Sequence, residues 1–196
     1  MVRKESIMLP LGTPAPDFNL KNAIDGKMIS LSDFKHNKAL LVMFICNHCP
    51  YVIHVRDQFK PLAEEYLPKG VGIIAINSNS IETHPQDGPE NMKKLADEMG
   101  WSNFFPFLFD ETQEVAKAYK AACTPDLYVF DKDQKLMYRG QLDGARPGNK
   151  VEVTGKDLRK ALDLALDGKI IPEGEQIPSA GCNIKWHPGK EPDYFK

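Results

Sequence analysis

A pair of cysteines marks the part of the sequence that is best equipped for chemistry. Cys46 and Cys49 are separated by Asn47 and His48, directly after an apolar run and directly before a helical pattern. A C-x-x-C pair at a strand–helix junction indicates thiol redox chemistry. The N-terminus of a helix favours the reactive thiolate, because its unpaired N–H groups and its dipole stabilise negative charge.

The position of Pro50 indicates which of the two cysteines reacts. Proline is favoured as the first residue of a helix, because its missing N–H group would be unpaired there. A helix that begins at Pro50 has Cys49 as its N-cap and leaves Cys46 in the loop. We therefore predict Cys49 as the nucleophile and Cys46 as its resolving partner, and the reverse assignment stays open. His48, as an imidazolium, would stabilise a neighbouring thiolate, although a loop histidine without a role is an equal alternative.

Hydrophobic patterns predict the elements that position this pair. Continuous apolar runs at 39–44 and 71–76 indicate strands buried on both faces. A stripe of apolar residues from Val52 to Tyr66 predicts a helix that Pro61 should kink. The other predicted elements are a hairpin around Asp25-Gly26, a helix from Pro89, an extended link at 105–109, a helix at 114–122, strands at 127–131 and 136–140, and a helix carrying Leu158 to Leu166. This order predicts an α/β fold with a mixed, mostly parallel central sheet flanked by helices.

The composition is that of an ordinary globular protein. Its 196 residues fit a single core, and the formal charge of −2 gives no indication of a nucleic-acid partner. The longest apolar run is too short to span a bilayer, and residues 1–12 lack the apolar core of a signal peptide. We therefore expect no membrane partner and a cytoplasmic location, where the four cysteines are free, catalytic or metal-binding rather than structural disulfides.

The chain divides into a main domain, 1–167, and a C-terminal tail, 168–196. The tail is rich in proline and glycine, yet it contains Ile184, Trp186 and other apolar residues. A disordered tail would contain fewer of these. We expect the tail to pack on the domain.

Several motifs resemble those of the AhpC/TSA, or peroxiredoxin-like, branch of the thioredoxin superfamily. Residues 16–34 resemble its N-terminal extension, residues 44–52 its active-site segment, and Thr124-Pro125 its cis-proline turn. Segments 47–52, 87–92 and 181–186 resemble a largely uncharacterised peroxiredoxin-like subfamily with an Asn-His-Cys-Pro-Tyr-Val motif.

The resemblance implies a thioredoxin-like fold with an N-terminal β-hairpin extension and a cis peptide bond before Pro125, whose isomer the sequence alone leaves open. It implies a substrate groove shaped by Thr124, Pro125 and His48, with Cys123 near the cysteine loop. Cys123 and Cys182 are possible resolving cysteines, and each could equally be a packing residue. The resemblance further implies antioxidant-type chemistry without a cofactor, on a protein or small-molecule disulfide or peroxide, with a thiol reductant such as a thioredoxin system. A monomer and a homodimer are both compatible with the sequence.

The departures from the family pattern rank the possible functions. The peroxidatic pattern Pro-x-x-x-Thr/Ser-x-x-Cys has Val42 and Cys46 in place of its proline and hydroxyl residue. Arg56 and Arg139 are candidates for the family's active-site arginine by chain distance alone. We therefore place a thiol–disulfide oxidoreductase first and a thiol peroxidase second. A copper or zinc carrier using Cys46, His48 and Cys49 is third, although we expect no metal, and a redox-inactive scaffold is the last alternative.

Overall fold

A seven-stranded sheet forms the centre of the protein in a computed structural model that describes residues 3–195. The strands are β1 (Arg3–Glu5), β2 (Asn19–Asn22), β3 (Met28–Ser30), β4 (Ala39–Phe44), β5 (Val71–Asn77), β6 (Phe107–Phe109), β7 (Cys123–Thr124), β8 (Asp126–Asp131), β9 (Leu136–Gly140) and β10 (Ala180–Asn183). The α-helices are α1 (Pro50–Val55), α2 (Phe59–Tyr66), α3 (Pro89–Glu98), α4 (Glu114–Ala118) and α5 (Lys156–Leu166).

The strand order of the large sheet is β3-β2-β6-β5-β4-β8-β9. Strand β5 pairs in parallel with β4 and with β6, whereas the other neighbours are antiparallel. The predicted α/β class with a mixed sheet is confirmed, and the expectation of a mostly parallel sheet is wrong. The short connections of the hairpins β2–β3 and β8–β9 permit only antiparallel pairing, and β8 also runs antiparallel to the central strand β4.

The central strands are apolar throughout because both faces of the sheet are covered. On β4, Leu41 and Met43 belong to one buried cluster together with residues of α1, α2, α3 and α5. Leu40, Val42 and Phe44 belong to a second cluster on the opposite face, with residues of α4 and of the C-terminal tail. Side chains alternate between the faces of a strand, so two apolar layers require an uninterrupted apolar run.

The helix after the cysteines is interrupted, not kinked. A 3₁₀ turn at Arg56–Gln58 separates α1 from α2, and Pro61 lies in the first turn of α2. Proline has no N–H to donate one turn back and its ring clashes with that carbonyl, so the interruption lies upstream of Pro61. The helix predicted at 114–122 ends at Ala118, because Lys120 adopts a positive φ of 50°.

The C-terminal tail packs against the rest of the molecule, as expected. Ile171 is buried in the first cluster, and Ile184 and Trp186 in the second, whereas Ile177 remains about half exposed. Strand β10 of the tail lies between β1 and β7 in a separate three-stranded antiparallel sheet. The segments predicted from the sequence include Met1, Val2 and Lys196, which lie outside the described residues. Among residues 3–195, no helix has the length and apolar character needed to cross a membrane.

Candidate active site

The four cysteines converge where β4, α1, β7 and β10 meet. Cys46 lies just after β4, Cys49 directly precedes α1, Cys123 is in β7, and Cys182 is in β10. All four are buried, and none of them forms a disulfide. Residues predicted from three separate motifs therefore lie in one region.

Cys49 is the N-cap of α1, and Pro50 is the first helical residue, as the sequence predicted. Its backbone is extended, with φ of −67° and ψ of 123°. The sulfur makes no regular capping hydrogen bond, although the Val52 amide contributes to stabilising its negative charge. In the thiol form, Cys49 donates a hydrogen bond to the carbonyl oxygen of Thr124, with 3.1 Å between the sulfur and the oxygen.

The pKa values of the thiols differ sharply. Hydrogen bonds that the Cys49 sulfur accepts, first from Cys182 and then from Cys46, lower the pKa of Cys49 far below its usual range and outweigh its burial. Donation to Cys49 is also the main reason why the pKa of Cys182 is raised. Burial is the main cause of the raised pKa values of Cys46 and Cys123. The arrangement therefore favours one thiolate, at Cys49, surrounded by protonated thiols.

The loop between the two cysteines is held by Asp87, which is fully buried. One carboxylate oxygen accepts the Asn47 backbone N–H at 2.9 Å, and the other lies 2.6 Å from Nδ1 of His48 and 2.8 Å from the donating amide nitrogen of Asn79. The negative charge of Asp87 also helps to raise the pKa of Cys46. His48 stacks on His84 at a ring-centroid distance of 4.9 Å, and one of its ring nitrogens lies within 4.8 Å of the Cys46 sulfur. Asp87 therefore orients the loop, and its charge adds to the burial that keeps the Cys46 thiol protonated.

Thr124 and Pro125 lie on the opposite side of the sulfur cluster. Their peptide bond is cis, so the isomer that the family resemblance implied is confirmed. The hydroxyl oxygen of Thr124 is 3.4 Å from the sulfur of Cys46, and its carbonyl oxygen faces Cys49. Cys123 points elsewhere: its sulfur donates to the carbonyl oxygen of Pro125 at 3.5 Å. Thr124 is thus the residue that contacts both cysteines of the pair.

Of the two candidate arginines, Arg139 is bound away from the cysteine pair. Arg139 is buried, and its guanidinium contacts Gln176 at 2.8 Å and Glu173 at 2.6 Å, so that it fastens the tail to β9. Arg56 lies in the 3₁₀ turn after α1. A different arginine, Arg146, lines a small cleft beside Pro125. Its guanidinium is bound to the carbonyl oxygens of Asp143 and Ala145, which makes it a support of the loop.

The only grouping of metal-ligating side chains found within residues 3–195 consists of Cys46, His48 and Asp87, with ligand atoms within 4.8 Å of one another. Cys49, which the copper-carrier alternative required, is not in it. Asp87 contributes a hard carboxylate, which does not suit Cu(I), and its oxygens already accept hydrogen bonds from Asn47, Asn79 and His48. The donor set therefore fits a hydrogen-bonded loop better than a copper site.

Asp87 and Asn79 are site residues that the motif analysis did not identify as functional. Both lie in the segment after β5, which the sequence shows only as a polar loop. Their position in the chain could have indicated this role. The segment follows the carboxyl end of β5, and because β4 and β5 are parallel, the carboxyl ends of both strands lie at the same edge of the sheet. Asp87 also begins a segment, 87–92, that resembles the subfamily.

Comparisons with known proteins find relatives that are named as thiol redox proteins. The model of the AhpC/TSA family matches residues 11–139. A thiol-disulfide oxidoreductase ResA from Geobacillus thermodenitrificans is 26% identical over 135 residues, covering 67% of this chain and 70% of the relative. A putative peroxiredoxin bcp from Helicobacter pylori is 29% identical over 113 residues, covering 58% of this chain and 67% of the relative.

Solved structures extend the likeness to the tail. An uncharacterized conserved protein from Geobacillus kaustophilus is 57% identical, with a TM-score of 0.92 over 96% of this chain and 98% of the other. A putative thiol:disulfide interchange protein DsbE from Chlorobium tepidum is 20% identical, with a TM-score of 0.60 over 81% of this chain and 99% of the other. The latter likeness shows that the fold is thioredoxin-like.

Proposed function

Because the chain belongs to the AhpC/TSA family, we propose that it is a thiol–disulfide oxidoreductase with Cys49 as its nucleophile. The observation that carries this proposal is the asymmetry of the sulfur cluster. Cys49 is the only one of its four thiols with a lowered pKa, whereas those of Cys46, Cys123 and Cys182 are raised. The thiolate is the attacking species in disulfide exchange, so Cys49 is the thiol that reacts near neutral pH.

The reaction proceeds in two exchange steps. The Cys49 thiolate attacks one sulfur of a substrate disulfide, forms a mixed disulfide and expels the other sulfur as a thiolate. Cys46 then loses its proton, attacks the sulfur of Cys49 and expels the second substrate thiol. One substrate disulfide becomes two thiols, and the protein gains a Cys46–Cys49 disulfide. A thiol reductant, such as a thioredoxin system, restores the pair.

Surrounding residues prepare these steps. Thr124 lines the groove and holds its hydroxyl 3.4 Å from the Cys46 sulfur. Pro125 fixes the turn that brings the Thr124 carbonyl to Cys49. His48 borders the groove on the side of the cysteine loop, where Asp87 holds its ring. The four thiols, none in a disulfide, are consistent with a reducing compartment, for which we propose the cytoplasm. We propose an antioxidant role in thiol homeostasis, by a monomer or a homodimer.

Peroxide reduction is the second candidate, favoured by the likeness to the putative peroxiredoxin. In that reaction Cys49 would be oxidised to a sulfenic acid while the peroxide is reduced to an alcohol or water, and a second thiol would condense with the sulfenic acid and release water. It ranks second because Val42 and Cys46 stand in place of the proline and the hydroxyl residue of the peroxidatic pattern. The guanidinium group of Arg139, one of the two candidates for the family's active-site arginine, is bound to Gln176 and Glu173.

Trapping of the mixed disulfide tests the proposal. The wild type and the variants Cys49→Ser, Cys46→Ser and Cys182→Ser are incubated with oxidised glutathione or with hydrogen peroxide, and adducts are mapped by mass spectrometry. We expect Cys49→Ser to form no adduct, Cys46→Ser to accumulate the Cys49–glutathione adduct, and Cys182→Ser to resolve it as the wild type does.

Other outcomes would assign the roles differently. An adduct that accumulates in Cys182→Ser and not in Cys46→Ser makes Cys182 the resolving thiol, and the same test on Cys123→Ser covers the remaining thiol. Turnover retained by Cys49→Ser contradicts the proposed nucleophile. Faster turnover with peroxide than with the disulfide would place the peroxidase first.

A further inference from the structure

The backbone edge of β7 is the part of the site nearest to Cys49 that an extended chain could bind. The C-terminal tail occupies that edge: in antiparallel register, Cys182 lies opposite Thr124 and Asn183 opposite Cys123. The Ile184 N–H donates to the carbonyl oxygen of Ala122 at 3.2 Å and extends the pairing. An open strand edge binds other extended segments through main-chain hydrogen bonds, so this edge would be a docking site if β10 moved away.

Strand β10 also brings a sulfur to the nucleophile. A hydrogen bond between the thiol of Cys182 and the sulfur of Cys49 is the main cause of the shift in both pKa values. Cys49 has no exposed surface and Cys182 only 5%, so the tail covers the sulfur that must be reached. A substrate sulfur must approach Cys49 directly in order to be attacked. In this structure the thiol of Cys182 contacts the Cys49 sulfur instead.

Gly181 shows how closely the tail approaches the turn. A Cβ atom at this position would lie 2.0 Å from the carbonyl oxygen of Thr124 and 3.2 Å from the nitrogen of Pro125. The first distance is shorter than van der Waals contact allows, and the atom it meets is backbone. In this register, therefore, only glycine can precede the cysteine.

We infer that residues 180–183 are a displaceable strand that occupies the binding position of a substrate polypeptide, and that the edge of β7 fits an extended segment with glycine directly before its cysteine. This inference rests on the proposed function, since the edge matters only if Cys49 reacts with a substrate sulfur. The closed protein then excludes a polypeptide disulfide, and opening of the strand admits one.

The attachments of β10 are compatible with displacement. The strand pairs with only three residues of β1 and two of β7. Firmer anchors lie outside it: Ser179 donates to the Gly140 carbonyl at 2.9 Å, and the Lys185 N–H donates to the side-chain oxygen of Asn79 at 2.8 Å. The strand can thus leave the edge while the buried residues on either side keep the tail attached.

Accessibility of Cys49 tests the closed arrangement. Gly181→Ala must push β10 away from Thr124, whereas Gly174→Ala, also in the tail, places its Cβ in open space. We expect iodoacetamide to label Cys49 at least about tenfold faster in Gly181→Ala than in the wild type or in Gly174→Ala. Ser179→Ala, a milder change that removes the side-chain anchor directly before the strand, keeps the test valid if Gly181→Ala does not fold, as judged by circular dichroism.

Peptides test the fit of the edge. Two hexapeptides, Ser-Ala-Gly-Cys-Asn-Ile and Ser-Ala-Ala-Cys-Asn-Ile, are activated as 2-pyridyl disulfides on their cysteines and added to the full-length loosened variant. We expect the glycine peptide to form its adduct on Cys49 at least about tenfold faster than the alanine peptide. The reaction of each peptide with reduced glutathione in free solution corrects for any difference in the intrinsic reactivity of the two activated disulfides.

The outcomes separate this inference from the proposed function. Equal rates for the two peptides, or labelling of Cys49 that is unchanged in both loosened variants, would overturn the inference even if Cys49 exchanges disulfides normally. If loosening speeds labelling and the glycine peptide is preferred, the inference stands, even if oxidised glutathione is not turned over.

Discussion

Replacing Asp87 by asparagine tests how the loop of the active site is held. The substitution keeps the shape of the side chain and removes its charge. It also replaces one acceptor oxygen by an NH₂ group, which must face at least one of the donors that now contact the carboxylate: the Asn47 N–H, the Asn79 amide or Nδ1 of His48. Because the side chain of Asp87 is fully buried, water cannot compensate for the mismatch.

The expected cost follows from these contacts. Hydrogen bonds to a charged group contribute about 1.5–3 kcal/mol each, and a buried donor left unpaired costs about 1–3 kcal/mol. Some of the bonds survive in asparagine, so we expect the free energy of unfolding to fall by about 2–4 kcal/mol. For a chain of this size, each 1 kcal/mol lowers the melting temperature by about 2–4 °C. The loss of negative charge should also lower the pKa of Cys46 and make it more reactive towards alkylating agents.

Denaturant unfolding and mass-mapped alkylation of the four thiols measure both effects. Asp97→Asn is the matched control, because Asp97 lies on α3 and makes exposed contacts with Lys93 and Ser102. Such surface contacts contribute about 0–1 kcal/mol. If Asp87→Asn is as stable as Asp97→Asn, and Cys46 is labelled no faster than in the wild type, the argument about Asp87 is refuted.

Two further changes test the electrostatics of the buried groups. Cys182→Ala removes the largest cause of the lowered pKa of Cys49, so the midpoint of the pH profile for labelling Cys49 should move to higher pH, whereas Cys123→Ala should leave that midpoint unchanged; equal midpoints would contradict the assignment of Cys182 as the main donor. Burial raises the pKa of Asp126 to about 6, above its usual 3.8, so the folded state binds this proton more tightly than the unfolded chain does. Its contribution to stability is complete below about pH 4 and is lost as the pH rises towards 6, by about 1.4 kcal/mol per pH unit. Asp126→Asn should remove this slope from denaturant unfolding at pH 4–7, and the exposed Asp167→Asn should retain it.

The sequence predicted the elements around the site better than the contacts within it. Buried strands and the start of α1 follow from local signals, an apolar run and a proline at the first helical position. The interruption before Pro61 shows the limit of such signals, because the stripe from Val52 to Tyr66 continues across it. A periodic pattern records which residues are buried and does not record a change of backbone hydrogen bonding.

The role of Asp87 could not be predicted from the sequence, because its partners come from other loops. Asn47 and His48 are remote from it in the chain, and only the parallel pairing of β4 with β5 places both segments at one edge of the sheet. The same holds for Cys182, whose contact with Cys49 depends on the register of β10 against β7. The register between distant segments is set by the whole fold. A sequence motif can therefore mark these residues as candidates but cannot show that they are in contact.

The source of the reactivity of Cys49 differs from the one that its position suggests. A helix N-terminus accounts for a modest lowering of a thiol pKa, but α1 has only six residues and Cys49 makes no regular capping bond. The larger contributions come from the thiols of Cys182 and Cys46, which donate to the same sulfur. Since ionising a second sulfur in this buried cluster would bring two negative charges together, the cluster favours one thiolate among protonated thiols. Each donor that stabilises the nucleophile is thereby already in contact with the sulfur that a resolving thiol must attack.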